Sequence, residues 1–149
     1  MFSKSKIVSH CSDQIKNKLD QLNQDYQKLT ESIASETKSS AGDKYETGRE
    51  MMNQEKNKLL DQIGQLRKQS DALKKINQAS KINSVQFGAL VNTNQATYLM
   101  ATPFGKITYE GEVIFVISMT SPIAQQLKGL KAGDSTTWQQ KEIKILTVE

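Results

Sequence analysis

The chain has one cysteine, one histidine and two prolines in 149 residues, and no proline at all before position 103. A single thiol, Cys11, excludes an internal disulfide. With His10 as the only imidazole, too few soft ligands remain for a structural zinc site, which takes four from Cys and His. No apolar run approaches the roughly 20 residues that span a bilayer, and the opening "MFSKSKIVSHCSDQ" lacks the apolar core of a signal peptide. A soluble cytoplasmic protein is the expectation. Charge of one sign is also lacking: the net +4 divides as 14 Lys/Arg against 11 Asp/Glu up to residue 80, and 6 against 5 after it. So mild and mixed an excess leans weakly towards anionic partners. It gives no clustered basic face for direct nucleic-acid binding.

What is present falls into two compositions. Residues 1–80 hold three of the nine aromatics, Phe2, Tyr26 and Tyr45; residues 81–149 hold both prolines, five of the eight glycines and the other six aromatics. The first part predicts long helix and the second a turn-rich β fold. Ile15, Leu19, Leu22, Tyr26, Leu29 and Ile33 follow at alternating steps of four and three, the heptad seam of a helix packed along another. Met52, Leu59, Ile63, Leu66 and Leu73 supply a second seam, with Lys56 and Ser70 at its intervening positions. Paired antiparallel, Leu29 with Met52, Leu22 with Leu59, Leu19 with Ile63, Ile15 with Leu66 and Val8 with Leu73 all have numbers adding to 81 or 82. On the same count Cys11 faces Ser70 at the hairpin base. The constant sum puts the apex near residue 40, where "SSAG" independently signals a turn. The tip, at about 39–47, lies roughly 40 Å from Ile15 at 1.5 Å per helical residue.

Beyond "KKINQASKIN", the stretches "VQFGALV" (85–91), "ATYLMA" (96–101), "KITY" (106–109) and "EVIFVISM" (112–119) predict strands. "TPFG" and "YEGE" supply turns. In "TSPIAQQLKG" Ser121 is a candidate N-cap, Pro122 a first helical residue and Gly129 a stop. "STTW" and "KEIKILTV" close the chain as strands. The expected fold is α+β: an antiparallel coiled-coil hairpin over 1–80 and a small β-rich domain over 81–149.

In "GDKYET" at the tip and "SPIAQQLKGLKAGDSTTW" downstream, this order of elements resembles the Gre transcript-cleavage factors of bacterial RNA polymerase. Gly42, Asp43 and Glu46 match that family's Gly-Asp-x-x-Glu-Asn signature, with Thr47 where Asn is usual. Ser121, Pro122, Leu127, Gly129, Gly133 and Asp134 match its second motif. The resemblance implies an FKBP-like C-terminal domain that docks at the rim of the polymerase's secondary channel, with the Ser121–Pro122 corner in the docking surface. It implies that the hairpin enters the channel and brings Asp43 and Glu46 to the active centre. There they help hold a Mg²⁺ shared with the polymerase, and the polymerase cuts its own backtracked transcript. The nascent RNA 3′ end is then met only inside that complex. The isolated chain, expected to be a monomer, would bind no metal stably and would be no enzyme by itself.

Chemistry makes the assignment reasonable. Mg²⁺ keeps several waters and is commonly held by one or two carboxylates with substrate phosphate oxygens, and a two-metal hydrolysis needs both attacking and leaving oxygens served. Two acids at a thin tip can complete a site but not make one. A purely structural reading of the same pair stands beside it: Asp at a helix N-cap with an acid three residues on satisfies orphan N–H groups and suits the helix dipole. Tyr45 and Arg49 are further candidates for contacts at the tip. Two other functions fit the sequence, a channel-binding regulator that does not promote cleavage and a coiled-coil adaptor. A proline isomerase is a weaker fit, because the aromatics of the β domain are few enough to be spent on its core.

Overall fold

The computed structural model describes residues 3–38, 46–76 and 81–149, without the side chains of residues 36–38, 46 and 47. Nine elements follow in order: helices α1 (Lys4–Lys38) and α2 (Glu46–Lys74), strands β1 (Leu90–Thr93), β2 (Thr97–Met100), β3 (Gly105–Tyr109) and β4 (Glu112–Ile117), helix α3 (Pro122–Leu127), and strands β5 (Ser135–Trp138) and β6 (Lys141–Val148). This is a helical hairpin followed by a mixed-sheet domain. Two compact units result, Ser12–Ser70 and Met1–Cys11 with Asp71–Glu149. The boundaries of these units fall after Cys11 and after Ser70.

In the Ser12–Ser70 unit the heptad seam decides which side chains leave water. Ile15, Leu59 and Ile63 are 1%, 7% and 5% exposed. Leu19, Leu22, Tyr26, Leu29 and Ile33 on α1, and Met52, Lys56, Leu66 and Ser70 on α2, are half-buried, while most residues between them are exposed. The alternating steps put these positions on one stripe per helix, and the three buried apolar side chains described in this unit all lie on it, as expected of two helices that meet along their seams.

The other unit is built on a six-stranded sheet in the order β3-β4-β2-β1-β6-β5. Neighbours are antiparallel except β2 and β4, which run parallel from Thr97↔Ile114 to Met100↔Ile117. Alternation sends Val91, Met100, Ile143 and Ile145 to one face, where Ala124 and Leu127 of α3 join them in a buried cluster. Leu90, Leu99, Ile107, Ile114 and Val116 are buried on the opposite face. Ile7, Val8, Cys11 and Leu73, on the first turns of α1 and the last turn of α2, and Ile76 just after α2 are buried in this unit too. The His10 ring stands 5.3 Å from that of Tyr109 at the end of β3, which brings the start of α1 to the sheet.

Strand β1 departs from expectation. The run at 85–91 does not form one strand, because Gly88 sits at φ +90 and turns the chain. Upstream of it Val85 donates its N–H to Leu130 O at 2.8 Å and its carbonyl accepts from Gly129 N at 2.9 Å. Only from Leu90 onward does the backbone join β2 and β6. Among the aromatics, Tyr98 and Phe115 pair at 5.9 Å, whereas Phe87 is 40% exposed and is not spent on core.

Candidate functional site

The connection between α1 and α2 carries the acidic motif. Since α1 is described to Lys38 and α2 from Glu46, Gly42 and Asp43 belong to the segment that joins the two helices of the hairpin. Gly42, Asp43 and Tyr45 lie outside the described residues. Glu46 and Thr47 open α2, and their side chains are likewise outside the description. Arg49 is exposed on the first turn of α2, behind a half-buried Gly48.

The second candidate region is the corner that leads from β4 into α3. Ser118 organises it: its carbonyl accepts from Ser121 N at 3.0 Å and from Ser121 Oγ at 2.7 Å. Its hydroxyl meets Thr120 Oγ1 at 2.8 Å and accepts from Thr120 N at 3.1 Å. Ser121 occupies the N-cap position in extended conformation, yet its hydroxyl makes no bond to the helix it precedes. The Ser118 carbonyl has captured it, so the expected side-chain cap is replaced by a hydrogen-bonded turn. Pro122, the first residue of α3, is exposed.

Beside this corner runs an open groove of about 510 Å³, with Phe104, Val116, Ile117, Ser118, Thr120 and Ser121 among its lining residues. A lining that mixes apolar and hydroxyl-bearing residues suits an apolar side chain of a protein partner. Of the two residues expected in a docking surface, Ser121 lines this groove and Pro122 does not; Phe104, which lines it too, was not among the sequence candidates. The only signal for it was the "TPFG" turn immediately before β3.

The rest of the downstream motif shapes backbone. Gly129 and Gly133 stand at φ +82 and +93, conformations that L side chains seldom adopt. Asp134 accepts the N–H of Lys131 through Oδ2 at 2.8 Å, closing the turn ahead of β5. These three residues hold the chain that returns to the sheet.

Three ionisable side chains are displaced from their ordinary behaviour. Burial pushes the Cys11 thiol up to about 11, which removes the thiolate that nucleophilic chemistry needs. Burial likewise raises Tyr98. Lys4 is lowered by burial, an effect that the charge of Glu149 partly offsets. The Lys4 ammonium donates to Glu149 O at 3.3 Å beside a cleft of about 540 Å³. Among the described residues no group of three or more His, Cys, Asp or Glu is disposed to hold a metal ion. No described helix is long and apolar enough to cross a membrane.

No family model matches the chain, and no curated protein matches it. Among solved structures, the transcription factor Gfh1 aligns over 92% of this chain and 92% of its own, with 19% sequence identity and a TM-score of 0.35.

Proposed function

We propose that this chain is a Gre-type elongation factor that inserts its hairpin into the secondary channel of RNA polymerase and stimulates the polymerase's own cleavage of backtracked transcripts. The observation that supports the reading is the pair of long helices with matching apolar seams, α1 to Lys38 and α2 from Glu46; in the sequence Gly42-Asp43-x-x-Glu46 runs from the segment that joins them into α2. Both carboxylates are hard oxygen donors of the kind Mg²⁺ takes, and two of them fit a metal already held in part by the polymerase. Bound there, the metal would supply a stabilised hydroxide and leaving oxygen. Asp43 and Glu46 would contribute charge and orientation in trans, Tyr45 and Arg49 would touch the surroundings of the tip, and the groove beside Ser121 and Pro122 would seat the polymerase rim. On this reading the protein acts as a cytoplasmic monomer and catalyses nothing alone.

One residue favours a second reading. Thr47 replaces the amide usual at that place, and its hydroxyl must donate and accept through one oxygen, where an Asn side chain has a separate NH2 donor and carbonyl acceptor. A regulator that binds the channel without promoting cleavage would retain the fold and the groove. Backtracked elongation complexes incubated with the purified protein separate the two. Transcripts shortened from their 3′ ends, with the shortening lost in Asp43→Asn and Glu46→Gln, support the cleavage factor. Binding with no shortening overturns it in favour of the regulator.

A further inference from the structure

The cleft beside Lys4 takes no part in the proposed function. Its volume of about 540 Å³ falls within the roughly 300–1,000 Å³ of small-molecule sites. Its lining is uneven in charge, with Lys4 and Lys81 against one acid, Glu149, and Ile82 and Val148 add apolar surface. Lys4 is only 8% exposed, and a lysine so far removed from water is normally paired. Here the pairing is poor. Among the described residues its ammonium has one hydrogen-bond acceptor, Glu149 O at 3.3 Å, and that carbonyl already accepts Leu90 N at 2.8 Å. No described carboxylate oxygen lies within 4.0 Å of it. A buried cation short of acceptors carries a desolvation cost, which an anion in the cleft would offset. Further donors stand beside it. Ser3 Oγ is turned to Ser5 Oγ at 2.7 Å, and the first turn of α1 holds no acidic residue. The N–H groups of Lys4 and Ser5, both lining residues, therefore have no acceptor among the described residues, at the positive end of a long helix.

We infer that this cleft binds a small organic phosphate, with the phosphate group held by Lys4, Lys81 and the Ser3 and Ser5 hydroxyls and the carbon body against Ile82 and Val148. A phosphate monoester offers three terminal oxygens to donors that approach from several sides, which suits two ammonium groups, two hydroxyls and backbone N–H groups better than the two oxygens of a carboxylate. Glu149 beside only two lysines restricts the site to a single phosphate group and disfavours a polyanion. The site belongs to the unit that carries the sheet and holds whether or not the chain acts on polymerase.

Titration of the full chain with phenyl phosphate at constant ionic strength, followed through its amide resonances, tests this. Saturable shifts should appear at residues 3–5, 81–83 and 148–149, and inorganic phosphate should bind at least about threefold more weakly because it leaves the apolar wall uncovered. Lys4→Gln should weaken phenyl phosphate by about tenfold, the loss of a charge-assisted hydrogen bond. Lys81→Gln, at an exposed position where folding is not at stake, should weaken it by about threefold. Lys128→Gln, exposed and outside the cleft, should leave it unchanged. Shifts that fail to saturate at millimolar phenyl phosphate overturn the inference. So does unchanged affinity in a folded Lys4→Gln protein or in Lys81→Gln, or an equal loss in Lys128→Gln. Inorganic phosphate binding as tightly as phenyl phosphate overturns the assignment to an organic ligand.

Discussion

Two turns of the same kind show how differently residues can meet one demand. In the β3–β4 hairpin Glu110 and Gly111 stand at φ +51 and +81, and in the β5–β6 hairpin Gln139 and Gln140 stand at φ +50 and +67. Two-residue hairpins need positive φ at both central positions, which is why Asn-Gly is favoured there. The first turn was legible in "YEGE" because glycine announces it. The second was not, since a Gln-Gln pair gives no turn signal and carries a left-handed strain of about 1–2 kcal/mol per residue. Replacing it by Gln139→Asn with Gln140→Gly should stabilise the protein by about 1 kcal/mol, after the extra unfolded-state freedom of glycine is subtracted. Urea titration reads the gain directly as a higher midpoint at unchanged slope. Cys11 makes a second residue-level prediction, in pH. Its thiol ionises near 9.0 when unfolded and only at about 11 when folded. Above pH 9 the unfolded chain therefore loses this proton first, and stability falls from pH 9 to 11. Raised Tyr98 acts in the same direction and lowered Lys4 in the opposite one. In Cys11→Ala the alkaline loss should be shallower than in the unmodified protein, as measured by denaturant midpoints across that window.

At the scale of elements, periodicity determined what could be foreseen. The seam positions of α1 and α2 came out buried or half-buried because a 3.5-residue repeat leaves a helix one way to hide its apolar side chains. Strand β1 was misjudged because an apolar run states only that residues want burial, and the two ends of 85–91 find it against different partners. Val85 bonds to the segment after α3, and Leu90 enters the sheet. Gly88 was the available signal, as an isolated glycine in a strand pattern marks a break. The seam makes a graded prediction. Ile63→Ala, at a position only 5% exposed, should cost about 3 kcal/mol by transfer and cavity terms together. Leu22→Ala, at a half-buried position, should cost about 1 kcal/mol because less surface returns to water. Equal losses in thermal or urea unfolding would show that the seam is packed more uniformly than its burial indicates.

For the whole molecule, the proposed function asks two distant stretches of sequence to do separable jobs, and they were legible to different degrees. The apex is read from short-range chemistry in the sequence alone, Gly42-Asp43-x-x-Glu46 between two seams, and Gly42 and Asp43 lie outside the described residues. The groove was not, because Phe104 and Thr120 meet only after β3 and β4 have paired and the Ser118 turn has formed. Thr120 is exposed, so Thr120→Trp should fill the groove with little effect on folding. If docking and cleavage are separate, this variant should weaken association with polymerase and, at saturating concentration, restore the unmodified cleavage rate. Asp43→Asn should bind as well as the unmodified protein and fail to shorten transcripts at any concentration. Thr47→Asn then probes the apex alone. An amide can accept from one neighbour and donate to another, which a hydroxyl on a shorter, branched side chain does with less reach. Better orientation of the attacking water should raise the saturated cleavage rate, by on the order of tenfold for a modest gain in positioning, and leave the binding isotherm where it was. A Thr47→Asn protein that binds as before and still shortens nothing would place the protein among channel-binding regulators.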